Sequence, residues 1–240
     1  MSQGAVALFT DFGTTDFYVG QMHAAVLDRA PGTAIVDLHH HAPCFSPGVA
    51  GLLLDALVPF VPRGAVVVGV VDPGVGTARG TLALWSGGHW FVGPDNGLFG
   101  PMAGAGDAEA YRLNPAAVGP LSASFHGRDL FAPAAAALVR GDRMVLGETV
   151  PEPVAAPGNP AQVVYVDHYG NLMTGLCPPG EAAGLRIGGR VVAHARTFGE
   201  VGVGELFWYR NSLDRVEVAA RERSAGALLG VGAGVEVAWA

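Results

Sequence analysis

Apolar segments of strand length alternate with helical patterns through the first part of the chain. AVALFT (5–10) and AIVDLH (34–39) predict two strands, and AVVVGVV (65–71) is apolar almost throughout, as is typical of a parallel strand covered on both faces. Between the first two strands, Asp16 is expected to cap a helix that runs to about Asp28. This alternation of strand and helix predicts an α/β layered fold.

The same pattern continues as far as residue 152. Ser46 followed by proline marks a helix start that runs into VAGLLLDAL, and a further helix is predicted after His126, through DLFAPAAAALVRG. TLALWS and HWFVG predict a hairpin across the glycines 87–88. Residues 1–152 are therefore expected to form an α/β domain with a mostly parallel sheet.

The pattern of predicted secondary structure changes after a proline-rich stretch. PEPVAAPGNP (151–160) has four prolines in ten positions, which predicts a linker at residues 153–160. Beyond it, short strand patterns are separated by glycine-rich turns: VVYVDHYGNLMTG, RVVAHARTF, ELFWYRN, RVEVA and VEVAWA. Residues 161–240 are expected to form a smaller, all-β domain resembling a barrel or sandwich.

Composition and charge exclude several classes of protein. Half of the residues are hydrophobic and 15% are charged, which predicts a compact globular protein. The net charge is −7 and no arginine-rich stripe is present, so a nucleic-acid partner is not expected. The apolar runs are shorter than the ~20 residues of a membrane span. The start of the chain lacks a basic-then-apolar signal pattern, so the cytoplasm is the expected compartment.

Basic and sulfur-containing residues narrow the possible chemistry further. All 14 basic residues are arginine, which excludes a P-loop lysine and a pyridoxal-phosphate Schiff base. Cys44 and Cys177 are far apart and form no CxxC motif, so they are expected to be buried or without a role.

Acidic side chains follow three of the predicted strands. Asp11 follows the first strand, Asp72 follows AVVVGVV, and Asp95 with Asn96 follows HWFVG. Ligands bind beyond the carboxyl ends of strands in open α/β sheets, and neighbouring glycines allow close backbone approach to a ligand. An aspartate after a strand is also a common turn residue, so each position alone permits either interpretation.

Two glycine-bearing segments are the most specific features. In VVDPGVGTARG (70–80), a flexible loop can fold back so that the Asp72 carboxylate meets the Arg79 guanidinium, although an ordinary ion pair would show the same spacing. In SFHGRDLF (124–131), His126 precedes a glycine and a predicted helix start, so its imidazole is expected at a loop rather than in the core.

Five motifs together resemble the S-adenosylmethionine hydroxide adenosyltransferases, which are relatives of the nucleoside fluorinases and chlorinases. The motifs are LFTDFGTTDFYVG, VVDPGVGTAR, FVGPDNGLF, SFHGRDLFAP and VDHYGNLMTG, in this order along nearly the whole chain. The resemblance implies hydrolysis of S-adenosyl-L-methionine to adenosine and methionine, with no cofactor and no metal. It also implies a homotrimer whose sites lie between the first domain of one subunit and the second domain of its neighbour.

The resemblance assigns the reacting centre to three side chains. Asp72, Arg79 and His126 match the Asp, Arg and His that lie near the attacked carbon in the hydrolytic branch. Fluorinases have Tyr at the Asp72 position and Tyr-Ser where this chain has His126-Gly127, so the halide-contacting Ser is missing. Chlorinases have Gly at that place, so Gly127 alone does not exclude chloride as the nucleophile.

The resemblance also assigns substrate contacts. Asp11 resembles the carboxylate that accepts hydrogen bonds from both ribose hydroxyls, and Asp16 either lines the same end of the pocket or only caps its helix. The halogenases continue their Asn-Ser pair with Arg-Gly where this chain has Leu213-Asp214, which weakens the expected contact to the methionine carboxylate. The implied substrate contacts are Asp11, Asp16, Asp167 (methionine ammonium), Asn171 (adenine edge), Phe198 (adenine neighbour), and Asn211 with Ser212 (methionine carboxylate).

Three other functions remain open on the sequence alone. A chlorinase would use the same fold with chloride as the nucleophile. A metal-dependent hydrolase could use the histidines 39–41, although consecutive residues rarely all reach one ion and a plain loop is the favoured interpretation. A non-catalytic module would bind adenosine without turnover.

Overall fold

A computed structural model describes residues 4–155, 159–179 and 183–240 of the chain. It divides into two compact units, Met1–Pro157 and Gly158–Ala240. Residues 156–158, within the predicted linker, lie outside the described residues. In the described part of the chain, no helix has the length and apolar character needed to span a membrane.

The first unit is built on a seven-stranded sheet in the order β2-β1-β3-β5-β4-β6-β7. Four neighbouring strands, β2, β1, β3 and β5, run parallel, whereas β4, β6 and β7 extend the sheet through antiparallel pairings. The α/β class is confirmed, as is the hairpin of TLALWS with HWFVG, whereas the sheet is partly rather than mostly parallel because three of its six strand pairings are antiparallel. The strands are β1 (Ala5–Thr10), β2 (Ala34–His39), β3 (Val66–Val70), β4 (Thr81–Ser86), β5 (His89–Pro94), β6 (Glu109–Leu113) and β7 (Leu146–Thr149).

Helices cover the parallel part of this sheet. α1 packs on α4, and both contribute to a core with one face of β1, β3 and β5. α4 consists largely of buried alanines, so it lies close to the sheet. The helices are α1 (Tyr18–Arg29), α2 (Pro47–Leu57), α3 (Gly100–Ala103) and α4 (Ala132–Val139), and a π-helical turn, Gly127–Phe131, leads into α4.

The start of α1 differs from the prediction. The helix begins at Tyr18 with Phe17 at the cap position, and no side chain there accepts a capping hydrogen bond. Asp16 stands one residue before the cap and is exposed, so the prediction that Asp16 caps this helix was wrong. By contrast, α2 begins at Pro47 directly after Ser46, as its sequence indicates.

The second unit is a curled seven-stranded sheet in the order β14-β10-β11-β12-β13-β9-β8. Its two edge strands approach one another, because Val237 donates a backbone hydrogen bond to Ala161 at 2.9 Å and Gln162 pairs with Glu236. The elements are β8 (Val163–Val166), β9 (Leu172–Thr174), β10 (Leu185–Ile187), β11 (Arg190–His194), β12 (Leu206–Arg210), β13 (Val216–Ala220), α5 (Ala225–Leu229) and β14 (Val237–Trp239). The expectation of a barrel-like β unit is confirmed, with the short helix α5 as an addition to the predicted all-β composition.

Candidate active site

The loop of residues 71–80 follows the fully buried strand β3 and reverses direction within a few residues. It is called here the catalytic loop because it carries Asp72 and Arg79, which the family resemblance assigns to the reacting centre. Gly76 has a φ of +77°, a conformation that disfavours a side chain. A Cβ at this position would also come within 2.7 Å of the Ala123 carbonyl oxygen. Glycine therefore allows the turn that returns Arg79 to Asp72.

Arg79 connects the other two residues assigned to the reacting centre, Asp72 and His126. Its Nε donates to Asp72 Oδ1 at 3.1 Å and its Nη2 donates to Asp72 Oδ2, which makes a bidentate ion pair. Nη2 also lies 3.2 Å from Nδ1 of His126, and Nη1 donates to the Gly80 carbonyl oxygen at 2.7 Å. The Arg79 and Asp72 side chains are only 8% and 5% exposed. The sequence prediction that the loop folds back to bring these two side chains together is therefore met.

The contact between Arg79 and His126 fixes the tautomer of the imidazole. A guanidinium can only donate hydrogen bonds, so Nδ1 of His126 must be the acceptor and Nε2 carries the proton. Burial and the nearby charge of Arg79 lower the pKa of His126, against weaker opposing effects of Asp72 and Asp129. In this geometry the imidazole is neutral and offers a donor, not an acceptor, at Nε2.

A pocket of about 240 Å³ opens where β1 and β3 end. Asp11, Asp72 and His126 line it, whereas Arg79 is not among the described residues of its wall. Arg79 therefore contacts two pocket residues from behind. The lining residues are Asp11, Phe12, Tyr18, Phe45, Val70, Asp72, Pro73, Val75, Ser124, Phe125, His126 and Gly127.

Aromatic side chains that the sequence did not single out form much of the pocket wall. Phe125 packs edge-on against Phe12 and Tyr18, with ring centroids 5.7 and 5.3 Å apart. Phe45 lines the same pocket, has a φ of +58° and is 78% exposed. An apolar wall with a few converging polar groups is typical of a small-molecule site.

Asp11 lies at the carboxyl end of β1, and its backbone N–H donates to Val70 at the end of β3 at 3.3 Å. Burial raises the pKa of its carboxyl group and the negative charge of Asp72 adds to this, while backbone N–H donors, including that of Phe45, act in the opposite direction. Two of the three predicted strand-end carboxylates, Asp11 and Asp72, thus share one pocket.

The other candidates of the first unit lie outside this pocket. Asp16 is exposed and is not among the described residues that line it. Asp95 is buried and paired with Arg112, and Asn96 donates to the Val71 carbonyl oxygen. These last two residues support the catalytic loop.

The histidines 39–41 are partly in β2 and partly in the following turn. Nδ1 of the buried His40 lies 2.9 Å from Thr10 Oγ1, and its Nε2 lies 3.0 Å from Asp37. Across residues 4–155, 159–179 and 183–240, no cluster of three or more His, Cys, Asp or Glu side chains is arranged to hold a metal ion.

In the second unit, Asp167 and Asn171 lie at the two ends of the turn that joins β8 to β9. Asp167 Oδ1 accepts from the backbone N–H groups of Tyr169 and Asn171 at 2.9 and 2.8 Å, and Oδ2 accepts from Asn171 Nδ2 at 2.8 Å. The two residues predicted to contact substrate are therefore hydrogen-bonded to each other, and Oδ2 of Asp167 keeps acceptor capacity.

Asn211 organises a second turn that carries the exposed Ser212. Its Oδ1 accepts from the backbone N–H groups of Leu213 and Arg215 at 3.0 and 2.9 Å, and its Nδ2 donates to the buried Glu217 at 2.8 Å. Both acceptor positions of the Asn211 side-chain oxygen Oδ1 are therefore occupied within the turn. Sequence reasoning did not identify Glu217, which appears as one polar residue in an apolar strand.

Phe198 packs in an aromatic cluster on the same unit. Its ring lies 5.0 Å from Phe207 and 5.5 Å from Tyr209, centroid to centroid, and the side chain is half-buried. Tyr209 donates its hydroxyl to Glu217. Burial and this hydrogen bond raise the pKa of Tyr209 strongly, so its hydroxyl stays protonated.

Comparison with known proteins matches both units to one family. The model for the SAM hydroxide adenosyltransferase N-terminal domain matches residues 6–146, and that for the C-terminal domain matches residues 161–238. The (R)-S-adenosyl-L-methionine hydrolase of Thermus thermophilus is 41% identical, over 97% of this chain and 98% of its own.

A fluorinase and a solved structure match this chain at lower sequence identity. The fluorinase of Actinoplanes sp. is 26% identical over 71% of both chains. The crystal structure of an uncharacterized conserved protein from Thermotoga maritima has a TM-score of 0.88 at 28% identity and covers 97% of this chain and 98% of that chain. Both domain models and the Thermus relative place the chain in the SAM hydroxide adenosyltransferase family, to which it therefore belongs.

Proposed function

We propose that this protein hydrolyses S-adenosyl-L-methionine to adenosine and L-methionine by attack of water at C5′. The observation that carries the proposal is the hydrogen-bonded set of Asp72, Arg79 and His126, two of which face a pocket that also contains Asp11. The name of the Thermus relative supports the same reaction.

The leaving group requires little assistance from the protein. The substrate sulfur is a sulfonium, so breaking the C5′–S bond returns the electron pair to sulfur and releases neutral methionine thioether without a general acid or a metal. The protein must hold a water in line behind C5′ at roughly 3–3.5 Å, and that orientation supplies much of the rate.

The tautomer of His126 determines which side chain can accept the proton of the attacking water. Nε2–H can donate to the water oxygen and orient it, but Nε2 cannot accept a proton. Asp72 lines the pocket and keeps acceptor capacity beyond its two bonds from Arg79. In the proposed mechanism Asp72 accepts the water proton as the O–C5′ bond forms, and Arg79 fixes both partners from behind.

The remaining substrate contacts are carried over from the family resemblance. Asp11 accepts from the two ribose hydroxyls, and its place in the same pocket as Asp72 supports this role. Asp167 binds the ammonium, which its unused acceptor capacity allows. Asn171 and Phe198 contact adenine, and Ser212 contacts the methionine carboxylate with Asn211 holding the turn in place.

The surroundings of Gly127 favour water over a halide that needs a side-chain hydroxyl. A Cβ at this position would lie 3.1 Å from the Phe125 ring and 3.4 Å from the Phe12 ring. The serine that contacts halide in fluorinases would therefore require the aromatic wall to move.

Product analysis tests the function directly. The protein is incubated with S-adenosyl-L-methionine in halide-free buffer and again with chloride, and nucleosides are separated by chromatography. Adenosine and methionine in both buffers are expected. Formation of 5′-chloro-5′-deoxyadenosine would identify a chlorinase instead, and adenosine binding without turnover would identify a non-catalytic module.

Asp11→Asn is expected to weaken adenosine binding by at least about 10-fold, because hydrogen bonds to a charged acceptor contribute about 1.5–3 kcal/mol each. The same change should raise Tm at pH 7. Burial raises the Asp11 pKa in the folded state, so its charged form costs stability above that pKa, and the gain should vanish at pH values where Asp11 is protonated. Calorimetric titration and thermal unfolding check both effects, and tight adenosine binding by the variant would contradict the ribose role.

Two further parts of the proposal concern the assembly and the compartment. By family resemblance the protein is a homotrimer with each site completed by a neighbouring subunit, and light scattering should give three times the 24.6 kDa chain mass. An active monomer would refute this.

The proposed compartment is the cytoplasm, where two exposed free cysteines, Cys44 and Cys177, persist in the reduced state. Their exposure contradicts the first of the two alternatives expected from the sequence, burial, and agrees with the second, that the cysteines have no role.

A further inference from the structure

One turn after β5 holds both ends of the catalytic loop. Asn96 Nδ2 donates to the carbonyl oxygen of Val71 at 2.9 Å, at the start of the loop. The backbone N–H of Asp95 donates to the carbonyl oxygen of Gly80 at 3.0 Å, at its end. Two adjacent residues that do not line the described pocket therefore set the separation of the two loop ends.

The carboxylate of Asp95 is itself locked in place. Its side chain is 4% exposed, and it accepts from Arg112 Nη1 and from the backbone N–H of Val154, the latter at 2.8 Å. Arg112 also donates to the Thr81 carbonyl oxygen at 3.2 Å. A Cβ on Gly80 would overlap the Arg112 guanidinium, 2.7 Å from its central carbon, so the guanidinium packs directly on this glycine.

Gly80 connects this ion pair to the reacting centre. Its carbonyl oxygen accepts from Arg79 Nη1 at 2.7 Å as well as from the Asp95 N–H. Arg79 in turn holds Asp72 and His126. A shift of the Gly80 peptide would therefore move the guanidinium on which both pocket residues depend.

We propose that Asp95 and Arg112 are positioning residues for hydrolysis, which act through the Gly80 peptide to hold Arg79 against Asp72 and His126. The inference rests on the proposed function. Neither side chain touches the reacting atoms. Their effect is to limit where Arg79 can sit, and a small misplacement in such a group can cost up to about 10²-fold in rate.

A purely structural role is the competing explanation. The Asp95–Arg112 pair could serve only to fasten the segment around Val154 to the sheet, which would affect stability and leave Arg79 in place. The two explanations predict different effects on the pKa of His126, so a titration of its imidazole distinguishes them.

The pKa of His126 reports the position of Arg79. The charged groups that act on the imidazole are Arg79 and Asp72 from the catalytic loop and Asp129 from its own turn. Arg79 lowers the His126 pKa, so displacement of the guanidinium should raise it. The imidazole resonance can be followed by NMR in a pH titration and identified by its absence from His126→Gln.

Two variants should move Arg79 by different routes. Asp95→Asn frees Arg112 and weakens the support of Gly80, and Gly80→Ala displaces the Arg112 guanidinium without changing any charge. Both should raise the His126 pKa and lower kcat about 10-fold or more, with KM within about twofold of wild type. Removal of the negative charge of Asp95 would by itself lower the His126 pKa, so a rise cannot be a direct charge effect.

Controls separate the outcomes. Asp142→Asn, in an exposed turn, should change neither quantity, and Arg79→Met should give the largest rise in the His126 pKa. An unchanged or lowered His126 pKa in folded Asp95→Asn and Gly80→Ala, with only Tm reduced, would overturn the positioning role. If wild type formed no adenosine, the proposed function would fail, but the NMR titration would still decide whether Asp95 and Arg112 hold Arg79.

Discussion

Asp72→Asn is expected to lower kcat for adenosine formation by about 10²–10⁴-fold, the range contributed by a well-placed general base. The amide cannot take the water proton, and its NH₂ group would face the Arg79 donors in place of a carboxylate oxygen. The affinity for adenosine should change little, because Asp72 acts on the water rather than on the ribose. Single-turnover kinetics with adenosine titration separate the two quantities.

The matched comparison for this variant is Asp142→Asn. Asp142 is an exposed aspartate in a turn, outside the described pocket wall, and the conversion is chemically identical. If Asp72→Asn retained more than about a tenth of wild-type kcat, a loss far below that of general-base catalysis, Asp72 would not be the proton acceptor.

Arg79→Met is expected to have the largest effect on stability. It leaves the Asp72 carboxylate, whose side chain is 5% exposed, without its partner. Breaking a buried pair from one side costs about 3–5 kcal/mol. For a chain of this size that corresponds to a fall in Tm of roughly 6–20 °C. Activity should fall as well, because both Asp72 and His126 lose the group that orients them.

A double variant and an exposed ion pair test whether the loss of stability comes from the unpaired, buried charge of Asp72. Asp72→Asn combined with Arg79→Met should be less destabilised than Arg79→Met alone, because no unpaired buried charge remains. Arg196→Met removes the partner of Glu200 in an exposed pair, with Arg196 83% exposed, and should lower Tm much less than Arg79→Met because water screens the exposed pair. Equal losses for the buried and exposed arginines would contradict the account.

The class of fold, the contact of Asp72 with Arg79 and the position of His126 at a loop could be predicted because the relevant signals are local, whereas the chemical roles of these side chains come from the family resemblance. The valine run of β3 ends at a definite point, and glycines on both sides of Asp72 and Arg79 indicate a loop that can close. His126 stands next to a glycine at a helix start, and the π-helical turn there adds only a local irregularity.

Other features depend on contacts between distant segments and leave no periodic signal. Phe45 is an exposed aromatic residue with a positive φ that lines the pocket, and nothing in its local sequence indicates this position. Asp95 follows its strand in the same way as Asp11 and Asp72, but only tertiary structure shows that it turns toward Arg112 instead of the pocket. The tautomer of His126 likewise follows from one hydrogen bond with a residue 47 positions away.

The roles of the second-unit residues were also only partly visible. Asn211 is predicted to contact substrate, and the structure shows in addition that its side-chain Oδ1 holds the turn that presents Ser212. An asparagine at the start of a turn has the same sequence pattern in either role. Glu217 is a single buried polar residue in β13, and its partners become apparent only in three dimensions.

Hydrolysis in water enriched in ¹⁸O tests the central claim most directly. If a water held by Asp72 and His126 attacks C5′, mass spectrometry should find one ¹⁸O atom in the 5′-hydroxyl of adenosine and none in methionine. Unlabelled adenosine, or label found in methionine instead, would show that water does not attack C5′ and would contradict the account.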